Sequence, residues 1–130
     1  IEEIKPFLPN NKFPNINNLH DIKSKYTIIH FHSATCESCK KNIENLIDFY
    51  NNQANKYDTK IISIEIGEGN DTNPFPWTNW QINPQILKQK YDIDIVRTPE
   101  IYILDKDKNI LNKTVIYSHI LKAIEEWESF

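Results

Sequence analysis

The sequence predicts an α/β domain: a central mixed sheet with helices on both faces. Three observations predict it. An apolar β-rich run, Tyr26–His32, is followed by a run whose Ile43, Leu46, Ile47 and Tyr50 fall on one helical face. A second β-rich run, Lys60–Ile66, comes next, and strand–helix–strand order implies parallel pairing through a right-handed crossover. Near the C-terminus, Glu100–Leu104 and Ile110–Val115 flank the turn Asp105–Asn109 as a hairpin, and a further helix follows. Parallel and antiparallel pairs together make the sheet mixed, and the helices must bury their apolar faces on it.

The elements follow in order. Residues 1–25 carry Pro6, Pro9, Asn10, Asn11 and Pro14 and read as an extended lead-in, with a short edge strand near Phe13–Leu19. Tyr26–His32 is almost continuously apolar, as in a central strand covered on both faces. The first helix is expected over about Glu37–Ala54. In Lys60–Ile66, Ile62, Ile64 and Ile66 alternate, with Ile61 adding apolar character. Gly67–Trp80, rich in Gly, Asn and Pro, is expected to be a long loop, pinned on the core by Trp77 and Trp80. Asn83-Pro84 starts a short helix to about Tyr91, because Asn caps well and Pro suits the first helical position. Ser118 is expected to cap the last helix, with Leu121, Ile124 and Trp127 on its apolar face and Ile120 beside it.

The chain of 130 residues is long enough for one domain with its own core, and residues 1–130 are taken as that single domain. A net charge of −3 gives no reason to expect a nucleic-acid partner. No stretch approaches the roughly 20 apolar residues that span a bilayer. The chain begins at Ile1 and contains no Met. It is therefore expected to be a processed or truncated product, its signal segment absent. The scarcity of Arg beside abundant Lys, Asn and Ile reads as codon bias rather than chemistry.

The two cysteines are Cys36 and Cys39. They lie after the first strand and at the start of the first helix. Two thiols at this spacing suit dithiol–disulfide exchange. The helix N-terminus, with its free N–H groups and partial positive charge, favours thiolate at Cys36. Cys36 at the helix start is expected to be partly exposed, and Cys39 one turn in to be more buried. A single pair cannot serve as a disulfide scaffold for a domain of this size.

Two separated stretches make the resemblance specific. Phe31-His-Ser-Ala-Thr-Cys36-Glu-Ser-Cys39-Lys40 resembles the active-site stretch of thioredoxins. Tyr91-Asp-Ile-Asp-Ile-Val-Arg-Thr98-Pro99-Glu-Ile-Tyr-Ile-Leu-Asp105 resembles the stretch before their hairpin. The likeness covers about residues 13–128. It is closest to the TlpA/ResA-like branch of extracytoplasmic thiol–disulfide oxidoreductases, as found in Bacteroidetes, with the insert of that branch abbreviated to Gly67–Trp80.

The resemblance implies a thioredoxin-like fold and a thiol–disulfide oxidoreductase acting on protein disulfides. It implies Cys36 as the attacking thiol and Cys39 as the resolving thiol. It implies a cis peptide before Pro99, with Thr98 offering its backbone to an extended substrate and Pro99 packing on the disulfide. No metal or organic cofactor is implied beyond the redox-active pair. The implied partners are disulfide-containing proteins and a separate thiol reductant, which can be membrane-bound. The implied location is extracytoplasmic, either periplasmic or lipid-anchored.

The chain also departs from the family. His30 stands where thioredoxins bury an Asp, His32 where they carry a Trp, and Asn42 where the TlpA/ResA branch often has a Glu. His30 is the candidate proton shuttle, since imidazole titrates near neutral pH. Glu37, between the cysteines, opposes thiolate formation and so favours a reducing couple, that is, a disulfide reductase or isomerase rather than a strong oxidant. Two other readings stay open. One is a non-catalytic module that binds a peptide or partner along Thr98. The other is a Cys2His2 zinc site of His30, His32, Cys36 and Cys39.

Overall fold

The computed structural model describes residues 12–33, 36–67, 75–95 and 98–129, with the backbone alone at Ser38, Lys40, Lys41 and Asn42. Residues 1–11 of the lead-in, residues 68–74 of the expected loop, and the side chain of Asn42 therefore lie outside the described residues. The described residues form five strands and three α-helices: β1 Tyr26–His32, α1 Glu37–Asn52, β2 Thr59–Ile66, β3 Thr78–Ile82, α2 Pro84–Tyr91, β4 Glu100–Leu104, β5 Ile110–Thr114 and α3 His119–Glu128.

The strands make one mixed sheet in the order β3-β2-β1-β4-β5. β1 pairs in parallel with β2 and antiparallel with β4. All seven residues of β1 are buried, as its apolar run requires of a central strand. One face of the sheet, with Ile28, Ile61, Ile101 and Ile103, packs against Leu46 and Phe49 of α1 and Ile120, Ala123 and Ile124 of α3. The other face, with Ile29, Phe31, Ile62 and Ile64, packs against Leu87 of α2 and against Phe13, Ile16 and Leu19.

Three expectations are corrected. The edge strand near Phe13–Leu19 is instead a 3-10 helix, Ile16–Asp21, reached through a single bridge between Lys12 and Asn109. Asn17 and Asn18 turn the chain with φ of 48° and 62°, a conformation Asn tolerates better than most residues. The end of the expected loop is a strand, β3, parallel to β2. Trp77 and Trp80 nevertheless anchor this region. Trp77 is buried and donates from its indole nitrogen to Ser63 Oγ at 2.8 Å, and Trp80 packs on the second face. Finally, Ser118 stands at the N-cap of α3 as expected, but its side chain makes no cap hydrogen bond, and the buried stripe is Ile120, Ala123 and Ile124, with Leu121 and Trp127 packed at its margin. Three- and four-residue spacing from Ile120 places those side chains on one face.

Other expectations match closely. Asn83 Oδ1 accepts from the Gln85 N–H at 2.7 Å, and Pro84 opens α2. Asp92, in the left-handed conformation, closes that helix.

Candidate active site

β1 runs directly into the cysteines. At its end the Cys36 N–H donates to the Ser33 carbonyl at 3.2 Å, turning the chain from strand to helix. Cys36 occupies the N-cap of α1, and its sulfur accepts the Cys39 backbone N–H at 3.0 Å. A thiolate at Cys36 would therefore meet a donor as well as the helix dipole. Cys36 and Cys39 are joined as a disulfide with their Cα atoms 5.2 Å apart. Cys36 is 7% exposed and Cys39 4%. Partial exposure of Cys36 is thus corrected for the oxidised pair, while Cys39 is the more buried of the two, as expected. Glu37, in the first turn, is exposed.

The Thr98–Pro99 bond is cis. Thr98 is half-buried and Pro99 buried. Thr98 Oγ1 shares a hydrogen bond of 3.2 Å with Ser33 Oγ, on the segment that leads into Cys36. Behind it, the buried Glu100 carboxylate accepts from the Tyr102 hydroxyl at 2.7 Å and pairs with Lys113 at 2.9 Å. The segment is thus tied to the cysteine turn on one side and to β5 on the other.

His30 and His32 alternate along β1 and share the face that carries Ile28. Their rings stack, with centroids 5.1 Å apart, and the Phe75 ring meets both edge-on. His30 has no exposed surface. Its Nδ1 lies 2.9 Å from Ser63 Oγ and its Nε2 2.7 Å from the Tyr117 hydroxyl. A neutral imidazole, with one donor and one acceptor, satisfies both contacts. Burial, and then the charge His32 would carry, hold the His30 pKa well below its ordinary value. His32 Nε2 lies 2.8 Å from Asn79 Oδ1. Burial lowers its pKa too, opposed by the Asn79 bond and by Glu65, its partner across β2. Burial also raises the Tyr117 hydroxyl above its ordinary range.

The same contacts bear on the zinc reading. The two sulfurs are bonded to each other, and both ring nitrogens of His30 are engaged by Ser63 and Tyr117. Among the described residues no cluster of three metal-ligating side chains occurs.

No family model and no curated protein matches the sequence. Solved structures do match. A domain of a possible thiol-disulfide isomerase from Cytophaga hutchinsonii is 24% identical, over 95% of this chain and 95% of that one, with a TM-score of 0.73. A thioredoxin-like protein from Bacteroides caccae is 23% identical over 83% of this chain, which spans 42% of that one, with a TM-score of 0.70. A thiol:disulfide interchange protein from a Bacteroides species is 20% identical over 86% and 78% of the two chains, with a TM-score of 0.64.

The chain has the thioredoxin-like fold. Within that fold the sequence-predicted cysteines sit at the start of α1, Thr98 hydrogen-bonds beside them, and His30 lies inside the sheet–helix layer. Sequence reasoning missed Ser33, Ser63, Asn79 and Tyr117 as parts of this region. The alternation of His30 and His32 at a strand end was the available signal, because two polar side chains on a buried face require buried partners.

Proposed function

We propose that this thioredoxin-like chain is a thiol–disulfide oxidoreductase of the reductase or isomerase type, acting on protein disulfides. The observation that carries the reading is the Cys36–Cys39 disulfide at the N-terminus of α1, with the Cys39 N–H aimed at the Cys36 sulfur. The names of the structurally similar proteins, an interchange protein and a possible isomerase, point the same way.

In the proposed reaction the Cys36 thiolate attacks one sulfur of a substrate disulfide. A mixed disulfide forms and the other substrate sulfur leaves as thiolate. Cys39 then attacks Cys36, releasing the second substrate thiol and leaving the Cys36–Cys39 disulfide. Two electrons pass to the substrate, so a separate thiol reductant must restore the dithiol. Thr98 and Pro99 form the platform for the substrate chain, with Thr98 pairing to it as an added strand. The hydrogen bond to Ser33 supports that role, since it sets Thr98 beside the cysteine turn. Among the described residues no helix is long and apolar enough to cross a membrane. The proposed location, outside the cytoplasm, rests on the resemblance to the TlpA/ResA-like branch.

Insulin reduction tests the reading. The wild-type chain with a small dithiol donor should precipitate insulin well above the donor alone, and Cys36→Ser should fall to the donor's rate. Equal rates for both would leave the non-catalytic binding module as the better reading.

A further inference from the structure

We propose that His32 is the proton acceptor of the resolving thiol, taking the Cys39 proton at Nδ1, and that Asn79 holds it in the tautomer able to do so. The proposal rests on the oxidoreductase reading above.

The first ground is placement. His32 is the last residue of β1 and lies on the face covered by α1, whose Leu46 and Phe49 pack on Ile28 of that strand. The connection from His32 to Cys36 is short, so the first turn of α1 begins at the same end of the strand. Cys39 is buried in that turn.

The second ground is the tautomer. An amide oxygen only accepts, so the 2.8 Å contact with Asn79 Oδ1 requires the proton on His32 Nε2. The lone pair of the neutral ring then stands at Nδ1. That atom has no hydrogen-bond partner among the described residues. The ring as a whole is only 6% exposed. A proton taken from the inside can leave to the outside. His30 offers no such atom, since Ser63 and Tyr117 occupy both its nitrogens.

Among the described residues the charged and titratable neighbours are few. Glu65 on β2 stands opposite His32, buried, and accepts from Gln81 of β3 at 3.3 Å. Its charge favours imidazolium. His30 on β1 opposes a second positive charge, and Tyr117 reaches the site only through His30. The first turn of α1 brings the two cysteines, and Glu37 points to solvent. Burial keeps His32 neutral near pH 7, which is the form that accepts.

The step balances without a further reactant. Nδ1 takes the Cys39 thiol proton, and the thiolate attacks Cys36 Sγ. The Cys36–Cys39 bond forms while the bond from Cys36 to the substrate sulfur breaks. The substrate thiolate leaves and takes up a proton, and the imidazolium returns its own to solvent.

The test uses the reduced wild-type chain and a nitrobenzoate disulfide whose coloured thiolate is released twice, first on attack by Cys36 and then on closure by Cys39. His32→Phe keeps a ring against His30 and Phe75. It should slow the second release about tenfold or more at pH 7, within the span general bases contribute. The deficit should shrink near pH 9.5, where hydroxide takes over removal of the thiol proton. The first release should change little. Asn79→Ala, which frees the tautomer, should show a smaller deficit with the same pH dependence, and carries the test if His32→Phe does not fold. An unchanged second release at pH 7, or a deficit equal at both pH values, would overturn the proposal. So would the same pH-dependent loss in His30→Gln with none in His32→Phe. Closure is read on the cysteine pair itself, so it remains measurable if the wild-type chain fails to reduce insulin, and the two failures are distinct.

Discussion

The imidazole of His30 meets the hydroxyl of Tyr117 at 2.7 Å, across a sequence separation of 87 positions. The contact fastens the segment before α3 to the strand that ends at the cysteines. Both groups are buried, so neither can fall back on water. Tyr117→Phe should therefore lower unfolding stability by about 1–3 kcal/mol, the range for stranding a buried polar partner. Urea denaturation should show a lower midpoint with an unchanged slope. A midpoint equal to wild type would mean that water or Ser63 alone satisfies the imidazole.

The two histidines also set the response to acid. Their folded pKa values lie below the ordinary 6.5, so below that pH the unfolded chain binds more protons than the folded one. Their contribution is complete above pH 6.5 and is lost as the pH falls towards the folded values. The limiting slope is about 1.4 kcal/mol per pH unit for each group. Stability measured from pH 7.5 to 5 should fall, and the fall should be largely removed in a His30→Leu/His32→Phe double variant. The same slope in that variant would assign the acid sensitivity to other groups. The carboxyl of Glu128, held below its ordinary 4.5 by Lys25 first and Tyr26 second, adds its share only at lower pH.

Ser33 and Thr98 couple the cysteine turn to the Pro99 segment. Ser33→Ala and Thr98→Val should each lower insulin-reduction kcat/KM several-fold, mainly through KM. The double variant should lose less than the product of the two. The coupling should be about 0.5–1.5 kcal/mol, the net worth of a hydrogen bond. Strictly additive losses would show that the 3.2 Å contact plays no part in substrate docking.

Asp105 organises the hairpin turn. Its Oδ1 accepts from the Asp107 N–H at 2.8 Å and the Asn109 N–H at 2.9 Å. Asp105→Ala should cost about 1–2 kcal/mol, because two turn donors lose a charged acceptor. Asp105→Asn should recover part of that. Equal stability of the Ala and Asn variants would contradict this account of the turn.

The core elements were legible because their patterns are local. Tyr26–His32 announces a central strand by itself, and Asn83-Pro84 announces a helix start. β3 was not legible: Thr78-Asn-Trp-Gln-Ile82 is short, half polar, and follows Pro74 and Pro76. It becomes a strand by pairing with β2. The 3-10 helix was hidden for a related reason. Asn17 and Asn18 suggest a break, yet burial of Ile16 and Leu19 on the second face shapes the segment. The cysteines could be read from spacing and context. The partners of the histidines could not, since Ser63, Asn79 and Tyr117 reach them only after the sheet and helices assemble.

In the proposed reaction Cys36 attacks a substrate disulfide and Cys39 resolves the adduct. Trapping measures this most directly. Reduced Cys39→Ala is mixed with insulin or a disulfide-rich extract, quenched with acid, and mapped by mass spectrometry. Mixed disulfides should form at Cys36 and be released by free dithiol, with none surviving in the wild-type chain. No adduct at Cys36, or adducts that accumulate equally in the wild-type chain, would contradict it.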